Sequence, residues 1–263
     1  EDIIETAIHY AFYPGAHLGM AGEPLRPGMR LFIDQYNQEF SRDIEPMKGG
    51  HTDNYYYQLI SNVRKYKGVS EPVKAGENTS IKISGSFSQW DKVSATYYDH
   101  QGDTEHRNHM GDCGTGPFVN ESGRNDIVES KVARDQDDYY LYARTNEKLS
   151  PYSDSDWMLL YIDADQDKST GWEGYDLLVN NGVGSRTKTT VKKWQDGKWI
   201  KAGELTYSVK GNELMMAIPS KLIGNNGFDF HWCDNVPVSG EIADFFTLGD
   251  NAPERRSNYR FQE

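Results

Sequence analysis

The chain has 263 residues, a formal net charge of −12, 37% hydrophobic and 13% aromatic residues, with 17 Tyr and 6 Trp. This charge argues against a nucleic-acid ligand, because phosphate binding needs clustered Lys and Arg, and against adsorption to an anionic membrane. No apolar run approaches the ~20 residues a membrane helix needs, and an aromatic, Gly-rich chain predicts a sheet core with many turns. The length allows one large domain or two ordinary ones. Cys113 and Cys233 are read as unpaired thiols, since their spacing fits neither a disulfide nor a zinc framework; a pairing would require an oxidising compartment.

Taken in order, residues 1–70 read as a small α/β segment. Met29–Tyr36 is a plausible strand, and Asp53–Lys67 a helix whose Tyr56, Leu59, Ile60, Val63 and Tyr66 fall on one face. A linker follows from Gly68 to Asn78, and residues 71–263 turn to strands. Ser80–Ser84 alternates with period two, and Asp126–Arg134 with Tyr139–Thr145 forms a hairpin over Asp135–Asp138. Lys188–Trp194 and Lys198–Ala202 close over Asp196-Gly197, a hairpin signal, and Glu204–Val209 returns as Glu213–Ile218. Phe228–Cys233 and Asp244–Leu248 complete the set. Strands at such intervals predict an antiparallel β-sandwich.

The most informative stretch joins two apolar runs, Trp157–Ile162 and Leu177–Val179. Asp163, Asp165 and Asp167 stand at alternate positions, followed by Ser169, Thr170 and Gly171 and closed by Asp176. That many hard oxygen donors in one short turn suit Ca²⁺, which takes roughly six to eight oxygens. The loop is not an EF-hand, whose sixth and twelfth positions are Gly and Glu where this one has Lys168 and Gly174. A solvated Asp-rich turn that satisfies its own backbone is the alternative.

Ile81-Lys-Ile-Ser-Gly-Ser-Phe-Ser-Gln-Trp90 looks like the opening of domains similar to carbohydrate-binding module family 9. Arg124-Asn-Asp-Ile-Val, Val132-Ala-Arg-Asp, Tyr142-Ala-Arg-Thr and Trp157-Met…Ile162-Asp-Ala-Asp fit the same pattern. So do Gly171-Trp-Glu-Gly-Tyr-Asp176, Met216-Ala-Ile-Pro219 and Gly249-Asp-Asn-Ala-Pro253. The likeness covers roughly residues 78–263 and implies two antiparallel sheets, a structural calcium and, often, sugar binding. Separately, Phe32-Ile-Asp-Gln-Tyr-Asn, Ser41–Gly50, Asp53–Tyr57 and Arg64–Gly68 resemble the last βα unit of a barrel glycosidase-like protein of gut bacteria.

These resemblances imply a non-catalytic carbohydrate-binding region of a secreted, extracytoplasmic polysaccharide-degrading protein, with a possible upstream catalytic domain. Sugar binding needs flat aromatic faces and a few placed polar groups. Trp172, Trp194 and Trp232 are the candidate platforms, with Trp199 also near a loop; a core or hairpin role is the alternative for each. Trp90 and Trp157 are assigned to the core. Asp34, Asp43 and Glu45 are the acidic residues a glycosidase site would draw on, but a lone βα unit supplies one corner of such a site, and loop capping explains them better. Arg124 and Asp126 read as a buried ion pair or as a grip on sugar hydroxyls. His100, His106 and His109 lack an acidic partner at zinc spacing.

Overall fold

The computed structural model describes residues 68–69, 71–104, 107–110, 117–238, 240–246, 248–253 and 257–262, with 61, 64 and 65. Apart from 61, 64, 65, 68 and 69, the expected α/β segment, with Asp34, Asp43 and Glu45, lies outside the described residues, as do Cys113 and His106. Two compact units divide the chain, 1–71 with 106–120 and 72–105 with 121–263. The first contains an antiparallel hairpin of β3 (Arg107–Met110) and β4 (Pro117–Asn120). All that follows concerns the second.

In chain order its strands are β1 (Val73–Lys74), β2 (Thr96–Tyr98), β5 (Ile127–Arg134), β6 (Asp138–Thr145), β7 (Leu159–Asp163), β8 (Leu177–Val183), β9 (Lys188–Gln195), β10 (Lys198–Lys210), β11 (Glu213–Pro219), β12 (Phe228–Asp234), β13 (Asp250–Ala252) and β14 (Tyr259–Gln262). They form one 12-stranded sheet, ordered β1-β14-β12-β7-β8-β9-β10-β11-β6-β5-β2, with β13 on β12. A single helical turn, α1 (Ser220–Ile223), follows β11. The unit is mainly β, and no described helix is long and apolar enough to cross a membrane.

The hairpins form where their turn chemistry demands. Asp196 (φ 52°) and Gly197 (φ 75°) take the left-handed conformations of a two-residue turn between β9 and β10. β10 then runs for 13 residues. It pairs with β9 along its first part and with β11 along its last, with a bulge between Lys201 and Gly203. Two predicted strands are therefore one, and β10 carries the ladder from one half of the sheet to the other.

That continuity lets the sheet fold over its own inner face, as a sandwich does. Tyr97 of β2 meets Phe230 of β12 edge-on at 5.0 Å, and Tyr139 of β6 meets Phe228 at 5.2 Å. The Trp232 indole N–H donates to Ser130 Oγ of β5 (3.0 Å). β2, β5 and β6 lie near one end of the strand order and β12 near the other, so these are contacts across the two layers.

Alternation explains the long apolar runs. In β7, Leu160 and Ile162 enter the inner core while Leu159 and Tyr161 enter a second cluster on the outer face with Leu178, Cys233 and Phe245. Strands covered on both faces read as continuous hydrophobic runs. The outer face of β6 and β11 is covered in the same way by Ile81, Phe87 and Trp90. Trp90 and Trp157 are both 2% exposed, as expected of core residues. Cys233 is a buried free thiol.

Two expected strands are not strands. At Ser80–Ser84 the Gln89 side chain accepts from Lys82 N (2.9 Å) and donates to Lys82 O (3.0 Å), taking the place of a neighbouring strand. Asp244–Leu248 overlaps a 3₁₀ turn, Ile242–Phe246, where Asp244 Oδ2 accepts from the Glu241 N–H (3.1 Å). Local side-chain bonds of this kind compete with a ladder.

Candidate functional site

The acidic loop leaves β7 at Asp163 and re-enters the sheet at β8. Asp163, Asp165 and Asp176 each bring a carboxylate oxygen to within 4.8 Å of the others. Asp163 is 1% exposed, and its Oδ1 is buried without a hydrogen-bond partner among the described residues. Burial, then the charge of Asp229, pushes its carboxyl up to about 7. Asp176 is raised as well, chiefly by burial. Its Oδ2 accepts from the Ala164 N–H (2.9 Å), which closes the loop on itself. A divalent cation bound by the three oxygens would supply the charge that these carboxylates lack.

Asp167, the fourth expected ligand, does not join them. Its Oδ1 accepts from Ser169 N (2.9 Å) and Ser169 Oγ (2.6 Å), and it is fully exposed. This residue follows the solvated-turn alternative. Asp165 does both, accepting from Asp167 N (3.0 Å) while it reaches the cluster.

The same loop builds an aromatic turn. Trp172 and Tyr175 exchange backbone hydrogen bonds of 2.8 and 2.9 Å around Glu173 and Gly174, both at positive φ. Gly171 must be glycine, because a Cβ there would lie 2.3 Å from the Tyr175 carbonyl oxygen. The turn sets the Trp172 and Tyr175 rings at 6.4 Å, near parallel. Trp172 also packs on Tyr161, Trp199 and Phe245, so most of its surface is committed to the outer cluster.

Trp194 and Trp199 are register partners on β9 and β10, with rings 5.1 Å apart and crossed. Lys192 and Lys201, the second pair on toward the bulge, are two residues from each Trp and therefore share its face. Lys192 Nζ donates to Asn181 Oδ1, and Lys201 pairs with Glu204 at 2.9 Å. Trp194 ties this face to the acidic loop, because its backbone N–H donates to the Asp176 carbonyl (2.9 Å).

Trp232 is no platform. It is wholly buried between the layers, so it has no face to offer a ligand. Arg124 and Asp126 are not each other's partners either. Arg124 donates to Asp234 Oδ2 and to Asp154 Oδ2, both at 2.6 Å, with Asp234 completely buried. Asp126 turns to a different group, in which its Oδ2 accepts from Gly102 N (3.0 Å). Asp103, Asp126 and Asp250 each place an oxygen within 4.8 Å of the others. Sequence reading missed this second cluster, whose members are too far apart in the chain to form a local motif.

No protein family, curated protein or solved structure matches this chain.

Proposed function

We propose that this chain is a non-catalytic carbohydrate-binding region of a secreted protein that acts on polysaccharides, and that Ca²⁺ bound by Asp163, Asp165 and Asp176 holds its binding loop. Trp194 is the principal platform, with Trp199 edge-on behind it and Trp172 at the far side of the cluster. A pyranose laid on the Trp194 ring would have Lys192 and Lys201 at its rim as N–H donors to hydroxyls. In this scheme the cation does no chemistry; it fixes the loop.

One observation carries the proposal: Asp176 supplies a carboxylate to the cluster and, through its carbonyl, holds the backbone of Trp194. Ion and platform therefore share a residue. The family 9 resemblance of the sequence points the same way.

The test is affinity electrophoresis of the chain against plant, fungal and host polysaccharides, with Ca²⁺ and with chelator. Retardation by at least one polysaccharide is expected, weakened by chelator and by Trp194→Ala. Unretarded migration on every gel, with Ca²⁺ present, would refute carbohydrate binding.

A further inference from the structure

The two carboxylate clusters stand at opposite ends of one strand. Asp163 is the register partner of Asp229 at the start of β12, and Asp250 that of Asp234 at its end. Five residues separate those positions, about 17 Å along a strand.

The second cluster is assembled from three remote segments: the turn containing Asp103, the residue before β5, and β13. Asp250 is 3% exposed. Its Oδ2 accepts the Ile127 N–H (2.7 Å), and its Oδ1 has no hydrogen-bond partner among the described residues. Asp126 Oδ1 is buried and has no hydrogen-bond partner among the described residues. A buried carboxylate oxygen without a donor carries a desolvation cost, and carboxylates set side by side add mutual repulsion.

We infer that Asp103, Asp126 and Asp250 form a second Ca²⁺ site, separate from the one at Asp163. The donors are all carboxylate oxygens, the hard-ligand chemistry that Ca²⁺ takes in irregular geometry. Asp126 and Asp250 already have one backbone donor each, Gly102 N and Ile127 N, on their Oδ2 atoms. Bound there, the ion fastens the 99–104 loop to β5 and to β13. It clamps one end of β12 as the first ion clamps the other.

The full chain, stripped with chelator and dialysed, is titrated with Ca²⁺ by isothermal calorimetry beside Asp126→Asn, Asp103→Asn and Asp163→Asn. Asn at 126 keeps a side-chain oxygen for the Gly102 N–H, so the fold should survive; circular dichroism checks this. The site at Asp126 predicts that Asp126→Asn removes one bound Ca²⁺ per chain, or weakens one at least tenfold, while Asp163→Asn leaves that ion bound. Should Asp126→Asn fail to fold, Asp103→Asn gives the same readout from a more exposed turn. Stoichiometry and affinity unchanged in the folded Asp126 or Asp103 variant would overturn the second site, whatever Asp163→Asn does.

Discussion

Asp163 and Asp229 face each other across the β7–β12 ladder, and they are served unequally. Arg260 grips both oxygens of Asp229 at 2.7 and 2.8 Å, and the Gln166 amide donates to it as well at 3.0 Å. Asp163, more deeply buried than its neighbours in the loop, keeps one oxygen without a donor. An arginine answers one of the two charges, and the other is the one that the proposed ion would neutralise.

This inequality predicts how stability depends on pH. An unfolded aspartate titrates near 3.9, whereas Asp163 is pushed up to about 7 in the fold. Between those values the native chain holds a proton that the unfolded chain has released. With metal removed, the stabilisation linked to Asp163 is therefore fully present below about pH 4 and is lost as pH rises toward 7, by at most about 1.4 kcal/mol per pH unit for one proton. Saturating Ca²⁺ requires the ionised form and should flatten or reverse the fall. Urea denaturation across this range, with Ca²⁺ and with chelator, measures it; a chelated chain that gains stability on going from pH 4 to 7 would contradict it.

The two tryptophans with different fates predict different phenotypes. Trp232→Ala empties a site between the layers and leaves Ser130 Oγ without its indole donor, and should cost about 3–5 kcal/mol. Trp194→Ala lies on a partly exposed face, should cost about 1 kcal/mol or less, and should still weaken glycan retention. Chemical denaturation and affinity electrophoresis on the same samples separate the two effects. Comparable stability loss in both variants would mean that Trp194 is also a core residue.

Arg124 gives a third case. Asp234 has no exposed side-chain surface and depends on Arg124 and the Met158 N–H for its charge. Arg124→Met strands that carboxylate and should destabilise the chain by about 3–5 kcal/mol at neutral pH. Adding Asp234→Asn should recover much of the loss. A single variant as stable as wild type would show that Asp234 is already protonated in the native state.

Much of this fold was legible in the sequence because its signals are local. The Asp-Gly turn, the period-two runs of β5 and β6, and the apolar runs of β7 and β8 each carry their own instruction. Ser80–Ser84 misled because the competing partner is a side chain, Gln89, which periodicity does not register. Trp232 was readable in principle: it is in phase with Phe228 and Phe230, which also point inward. Of the four aspartates that the acidic loop singles out, Asp163, Asp165 and Asp176 come within 4.8 Å of one another, and Asp167 turns instead to Ser169 two residues on. The second cluster and the Arg124–Asp234 pair were not legible at all. Each joins residues more than a hundred positions apart, and only the folded-over sheet brings them together.

The most direct single measurement is the thermal melt of the intact chain with excess Ca²⁺ and with excess chelator. An ion that binds the native state alone stabilises it by mass action, so chelation should lower the melting temperature by several degrees, and Asp163→Asn should shrink that difference. Superimposable melts of the wild-type chain in the two conditions would contradict the account, leaving Asp163, Asp165 and Asp176 as carboxylates that the fold tolerates without a cation.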